Sequence, residues 1–312
     1  MQAKDTAIID WLMAGDVAIQ YQTRRDLLGE DDPVLRRRIA SEGWGRAFLA
    51  ARNRDGSWGE AFYRPKWACT HYTLLELAGL GFPPDHPGIC ELITRVAQSH
   101  GAKDGGLGHT PGYAKSDICI NGMFLNYASY FGVPDDLLHP IIDFLLRHEM
   151  ADGGFNCMIN RSGAVHSSLH STLSVLEGFH AWHSRGGRYR AAELAQAAAD
   201  GRAFILRHQF HLSDRTGRLI HPSFLALSHP PRWRYNILRA LDHFRAARQP
   251  YDPRMRAAIA VLIGKRRSDG RWRRGAAPPG KRFFEMEPPR QPSRWVTLLA
   301  LRVLAAYAPN RA

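Results

Sequence analysis

Cysteine is scarce, with only Cys69, Cys90, Cys119 and Cys157 in 312 residues, and they stand far apart. A chain long enough to bury a large core needs no staples, which excludes a secreted disulfide scaffold and predicts reduced thiols. Long apolar runs are also missing. No segment approaches the roughly 18 uninterrupted apolar residues of a membrane span, and MQAKDTAIIDWLMAGD at the N-terminus lacks the apolar run of a signal peptide. A cytoplasmic protein is expected. Alternating strand patterns are nearly absent, so the fold is expected to be all-α. Basic residues do not cluster in the runs of about 5 to 8 that mark a nucleic-acid patch. Nevertheless, 42 Lys and Arg outnumber 29 Asp and Glu, for a formal charge of +13. That balance favours a small anionic or amphiphilic ligand, such as a diphosphate, and allows peripheral contact with acidic lipid headgroups; no nucleic acid is expected.

What the chain does contain is a repeating unit. The stretch ADGGFNCMINRSGAVHSSLHSTLSVLEGFHAW, residues 151–182, joins an Asp-Gly-Gly turn and the aromatic Phe155 to a helical pattern with Leu169, Leu173, Leu176 and Phe179 on one face. Similar turns start at Asp55, Asp104 and Asp269, with a degraded copy at Asp214, about fifty residues apart. Each precedes a helical core: His71 onward, Ile120 onward, His170 onward, Arg234 onward and Arg294 onward, with a sixth at Tyr21. Amphipathic stretches lie between them, including one from Val34 to Arg52. Six helix pairs of this period can close a ring, so residues 1–312 are expected to form a single (α/α)6 toroid with the richer helices inside. The connections 212–231 and 273–294 are long; the second, with Phe283 and Phe284, is expected to be a lid.

The turns carry a resemblance. Gly56-Ser57-Trp58 and Gly270-Arg271-Trp272, each between an outer and an inner helical pattern, resemble the repeats of the squalene cyclase and protein prenyltransferase superfamily, although the glutamine of that repeat is missing. The resemblance spans nearly the whole chain and implies an α/α toroid. The segments PKWxxTHYTLL, DIC, HSSLH and PRWRY resemble more closely a group of bacterial single-domain squalene-cyclase-like proteins, for which no activity is settled. Two family motifs are missing. The Asp-Asp pairs, Asp31-Asp32 and Asp135-Asp136, have no DxDD context, and there is no DDxxD. Squalene cyclisation and magnesium-dependent ionisation of a diphosphate are therefore not expected.

By the same resemblance, Asp117, Cys119 and His170 correspond to the zinc ligands of prenyltransferases, with His166 and Cys157 close by. Thiolate, imidazole and carboxylate suit zinc and leave one position open for chemistry. His166 and His170, four residues apart, would share a helical face. The plainer alternative makes Asp117 an N-cap, Cys119 a small buried hydrophobe and the histidines hydrogen-bonded core residues. With or without metal, Asp117 and His170 are expected to act together, with His166, as the catalytic acid–base group. Aligning the inner helices on their leucines places Tyr21, His71, Asn121, His170, Arg234 and Trp295 in one layer facing a central cavity. Lys66, Trp67, Tyr72, Arg232, Trp233, Tyr235 and Arg294 lie beside it, supplying cations and aromatic faces for substrate. These readings point to a terpene cyclase or prenyltransferase-like enzyme acting on an isoprenoid or similar amphiphile. A non-catalytic lipid- or small-molecule-binding toroid, and an α/α-barrel carbohydrate enzyme with two flanking carboxylates, are the alternatives.

Overall fold

The computed structural model describes residues 3–276 and 278–307. Residues 1, 2 and 308–312 of the expected single domain, and residue 277 of the expected lid, lie outside the described residues. The fold is all-α. Its helices are α1 (Ala3–Met13), α2 (Val17–Thr23), α3 (Pro33–Arg38), α4 (Gly43–Ala50), α5 (Thr70–Leu80), α6 (Pro87–Ser99), α7 (Ile118–Tyr130), α8 (His139–Arg147), α9 (Ile159–Ser162), α10 (Leu169–Ser184), α11 (Ala191–Arg207), α12 (Ile237–Ala246), α13 (Arg256–Gly264) and α14 (Arg294–Tyr307). Among the described residues, β-structure is limited to isolated bridges such as Trp67 with Lys281, and no helix is long and apolar enough to cross a membrane.

Two kinds of helix are distinguished by what they bury. α6 buries one stripe, Ile89, Leu92, Ile93 and Val96, and α8 a similar one at Ile141, Ile142, Phe144 and Leu145. In contrast, α7 is buried nearly all round, including Asn121, Gly122 and Ser129, and so is α10. A striped helix seals a core against water, whereas an all-round helix must be surrounded by other elements. α7 and α10 approach backbone to backbone because glycines face each other: a Cβ on Gly178 would stand 2.5 Å from the Gly122 oxygen, and one on Gly122 would stand 2.6 Å from the Ser174 oxygen.

Side-chain bonds connect the other fully packed helices. Gln22 Nε2 of α2 donates to the Gly79 oxygen of α5 at 2.8 Å, and His71 of α5 meets Tyr127 of α7 at 3.2 Å. Arg239 of α12 holds Glu177 of α10 through two bonds of 2.8 and 2.6 Å. Arg302 of α14 donates to Asp242 of α12 at 2.6 Å and to Asp26, in the π-helical turn after α2, at 2.7 Å.

The stretch Val34–Arg52, read as one helix, is two. The chain doubles back between α3 and α4, bringing Gly45 so close to Ile39 that a Cβ would lie 1.9 Å from its carbonyl oxygen. Gly43 there takes a left-handed φ of 54°.

Candidate functional site

The Asp-Gly turns set the register of the inner helices. Gly56, Gly105, Gly153 and Gly270 all adopt φ between 80° and 86°, a conformation open to glycine. The residue two places on is buried: Trp58, Leu107, Phe155 or Trp272. Its backbone N–H donates to one polar side chain at the start of the following helix. The pairs are Trp58 to Thr70 (2.9 Å), Leu107 to Asn121 (2.7 Å), Phe155 to Thr172 (2.9 Å) and Trp272 to Thr297 (3.1 Å). Thr70, Asn121, Thr172 and Thr297 are therefore the equivalent positions. Five residues beyond each lies Leu75, Asn126, Glu177 or Arg302, and these four all line one cavity.

This cavity, about 300 Å³, takes wall residues from α2, α5, α7, α10, α12 and α14. Leu75, Leu80, Leu238, Leu299 and Met286 make apolar surface. Its three carboxylates are each paired with a cavity arginine: Glu76 with Arg232 (2.7 Å), Glu177 with Arg239 (2.6 Å) and Asp242 with Arg302 (2.6 Å). Burial holds the Glu76 carboxyl above the usual carboxylate range against the pull of Arg232. Burial also raises Asp242, but Arg302 and Arg245 outweigh it and hold that carboxyl below. His229 is stacked on Trp295 and is pushed down to about 3 by burial and by Arg274.

Of the layer expected to face the cavity, Trp295 does so; of its neighbours, Arg232 does. The rest lie elsewhere, and against the turn-bonded positions His71 is displaced by one residue and His170 and Trp295 by two. Asn121 spends its amide on the Leu107 turn. His71 is fully buried against Tyr127, Phe62 and Tyr63. Tyr21 is buried and donates to Asp31 at 3.1 Å. Arg294 stacks on Trp11 and donates to its carbonyl. Tyr72 bonds Tyr63 at 2.7 Å and packs edge-on to Trp67, over which Lys66 also lies. The Trp67 indole N–H reaches the Pro279 carbonyl at 2.8 Å, so this cluster supports the segment 273–294. In that segment Phe284 packs on Phe48, and Met286 enters the cavity wall beside Glu76 and Arg232.

His170, Trp233, Arg234 and Tyr235 belong to a separate groove of about 1030 Å³ between the start of α10 and the connections 212–231 and 273–294. α12 begins at Ile237 behind an Asn236 cap, so Arg234 and Tyr235 lie in the turn before the helix. The groove contains Arg218, Arg234, His170, His208, His221 and several hydroxyls; among the described residues no carboxylate lines it, and the nearest to its imidazoles, Asp214, stands 3.9 Å from His208 Nδ1. Arg234 Nε has no hydrogen-bond partner among the described residues, and its guanidinium lies over Trp233. The Tyr235 N–H donates to His170 Nδ1 at 2.7 Å. Burial, then Arg239 and Arg234, push this imidazole down to about 4, so at neutral pH it is uncharged and carries its proton on Nε2. Ser228 belongs to both the groove and the cavity wall.

Asp117, Cys119 and His170 are not gathered into one metal-binding group among the described residues. Asp117 caps α7 by position only, because its carboxylate pairs with His109 Nε2 at 2.9 Å. The Cys119 N–H points to Cys157 Sγ, and the bond between the two thiols raises Cys119 and lowers Cys157. Among the described residues no three His, Cys, Asp or Glu side chains form a group able to hold a metal. His166 precedes α10, in an exposed segment tied down by Ser167 bonding Asp152, and its ring meets Arg215 at 2.8 Å. It therefore shares no helical face with His170.

Sequence reading missed Glu76, Glu177, Asp242, Arg239 and Arg302; the turn-bonded threonines, used as the alignment anchor, would have found Glu177 and Arg302. The chain matches no protein-family model and no curated protein.

Proposed function

We propose that α2, α5, α7, α10, α12 and α14 close into the ring of an (α/α)6 toroid, and that the protein is a terpene cyclase or prenyltransferase-like enzyme. Its substrate is an isoprenoid-type amphiphile with an anionic, diphosphate-like end. The ring is supported by bonds between successive inner helices, by the return of α14 to α2, and by a cavity with walls from all six. The contrast between two adjoining surfaces carries the ligand reading. Every cavity arginine is matched by a carboxylate, whereas the groove that holds Arg218 and Arg234 is lined by hydroxyls, imidazoles and apolar groups. An anionic end is stabilised in the groove by Arg218, Arg234 and the His170 Nε2–H, and an apolar chain passes Ser228 into the cavity. The segment 273–294 is the lid over this path, and Glu76 is the acid–base group within it.

The pairing of all three cavity carboxylates favours a second reading, a toroid that binds the same amphiphile without turnover.

Replacing Arg218 and Arg234 by glutamine separates these claims from a purely apolar pocket. Each loss of a charge-assisted bond is expected to weaken prenyl diphosphate binding roughly 10- to 100-fold, leaving a prenyl alcohol within about 2-fold. Equal weakening of both ligands would remove the anion from the groove. Glu76→Gln is expected to abolish consumption of bound prenyl diphosphate while retaining its affinity. Wild-type protein that binds but consumes none establishes the second reading.

A further inference from the structure

None of the four cysteines lines this site, and two of them meet each other. Cys119 is the second residue of α7, and its backbone N–H, one of the unpaired donors of a first helical turn, points at Cys157 Sγ at 2.9 Å. The Ser171 hydroxyl donates to the same sulfur at 3.3 Å, and the Cys157 N–H returns a bond to the Ser171 oxygen at 3.1 Å. Cys119 and Cys157 are both half-buried, whereas Cys69 is buried, and Cys90 lies against the Gly132 carbonyl. Among the described residues, this pair alone brings two thiols together while leaving them reachable by a small oxidant.

We propose that Cys119 and Cys157 form a reversible disulfide, a redox modification site that fastens the start of α7 to the loop preceding α9. The oxidant class is a peroxide. Cys157 sulfur attacks one peroxide oxygen, the O–O bond breaks, and Cys157 becomes a sulfenic acid as one water leaves with the thiol proton. Cys119 sulfur then attacks the sulfenic sulfur, its S–O bond breaks, and a second water carries away the oxygen and the Cys119 proton. Two thiols have lost two electrons and two protons to one peroxide, which ends as two waters. Cys157 is the first to react because the Cys119 N–H and the Ser171 hydroxyl stabilise negative charge on its sulfur, and Cys119 resolves the product. A dithiol reductant reverses the bond. The inference rests on neither the ring nor the ligand.

Full-length wild-type protein is treated with hydrogen peroxide, alkylated and mapped by mass spectrometry without reductant. The expected product is a single cross-linked peptide pair containing Cys119 and Cys157, about 2 Da lighter than the sum of its thiol forms, with Cys69 and Cys90 still alkylated. Because the bond spans 38 residues, oxidised protein is expected to melt roughly 5–10 °C higher, and reductant to restore the original value. In Cys119→Ser, a dimedone adduct accumulates on Cys157. The proposal is overturned if Cys90 oxidises before the pair, if both thiols stay alkylatable, or if Cys119 oxidises equally well in Cys157→Ser.

Discussion

Replacement of Arg302 by alanine is expected to lower the unfolding free energy by about 3 kcal/mol, the lower end of the range for breaking a buried ion pair. Arg302 is about 10% exposed at its side chain and holds two carboxylates at once, Asp242 of α12 and Asp26 after α2. Removal leaves both acids in low dielectric without their shared cation. The loss is at the lower end because Asp242 keeps Arg245 and Asp26 keeps Arg25. The consequence is also topological, since Arg302 ties the last helix to the second. Urea unfolding of Arg302→Ala measures the cost, and Arg302→Leu combined with Asp242→Leu should recover part of it, because the buried Asp242 carboxylate is removed together with its cation, while Arg245, which loses Asp242, is the more exposed partner. A loss under about 0.5 kcal/mol, typical of a surface substitution, would mean that Arg302 does not clasp these helices together.

Acidification from pH 7 to pH 5 is expected to cost about 4 kcal/mol through two buried histidines. His71 is fully buried, and burial, then His109, push it down to about 3. His243 is 4% exposed and is pushed down to about 3 by burial, then by His180 and Arg202, against the opposing pull of Asp242. Each has one ring nitrogen without a partner, so neither gains a bond by protonation. In the unfolded chain both titrate near 6.5. Their folded values are depressed, so their contribution is complete above about 6.5 and is lost as pH falls toward about 3. The slope is about 1.4 kcal/mol per unit for each group. Asp26 and Asp242 are also depressed, but their windows open only below about 4. Glu76 and Glu287, raised by burial, act with the opposite sign and reduce the net loss. Denaturant midpoints at the two pH values test this, and His71→Leu with His243→Leu should reduce the dependence by that amount, leaving the share carried by His170 and His229, which are depressed as well. An unchanged slope in that variant would contradict the assignment.

The helical content and the turns were legible because Asp-Gly pairs and apolar spacing are local signals. Asp55, Asp104, Asp152 and Asp269 announce turns that all form, with their glycines in one conformation. The direction each inner helix faces was not legible from its leucines. A helix buried nearly all round, as α7 is, gives no phase, because its apolar residues point to every neighbour. Thr70, Asn121, Thr172 and Thr297 carry that phase, but their role depends on a bond to the preceding turn. Helix starts at Leu169 and Ile237 were also misjudged, since His166 and Arg234 fit the apolar rhythm yet lie in segments pinned before the cap. The Glu76–Arg232 pair joins residues 156 apart, a distance over which spacing is silent.

The most direct measurement of the central claim is calorimetric titration of wild-type protein with a prenyl diphosphate, the corresponding prenyl alcohol and inorganic diphosphate. If groove and cavity hold the two ends of one molecule, the intact amphiphile should bind at least roughly 100-fold more tightly than either half, because the second contact becomes intramolecular. Inorganic diphosphate binding as tightly as the prenyl diphosphate would leave the cavity without a role, and the alcohol doing so would leave the groove without one; either result contradicts the account.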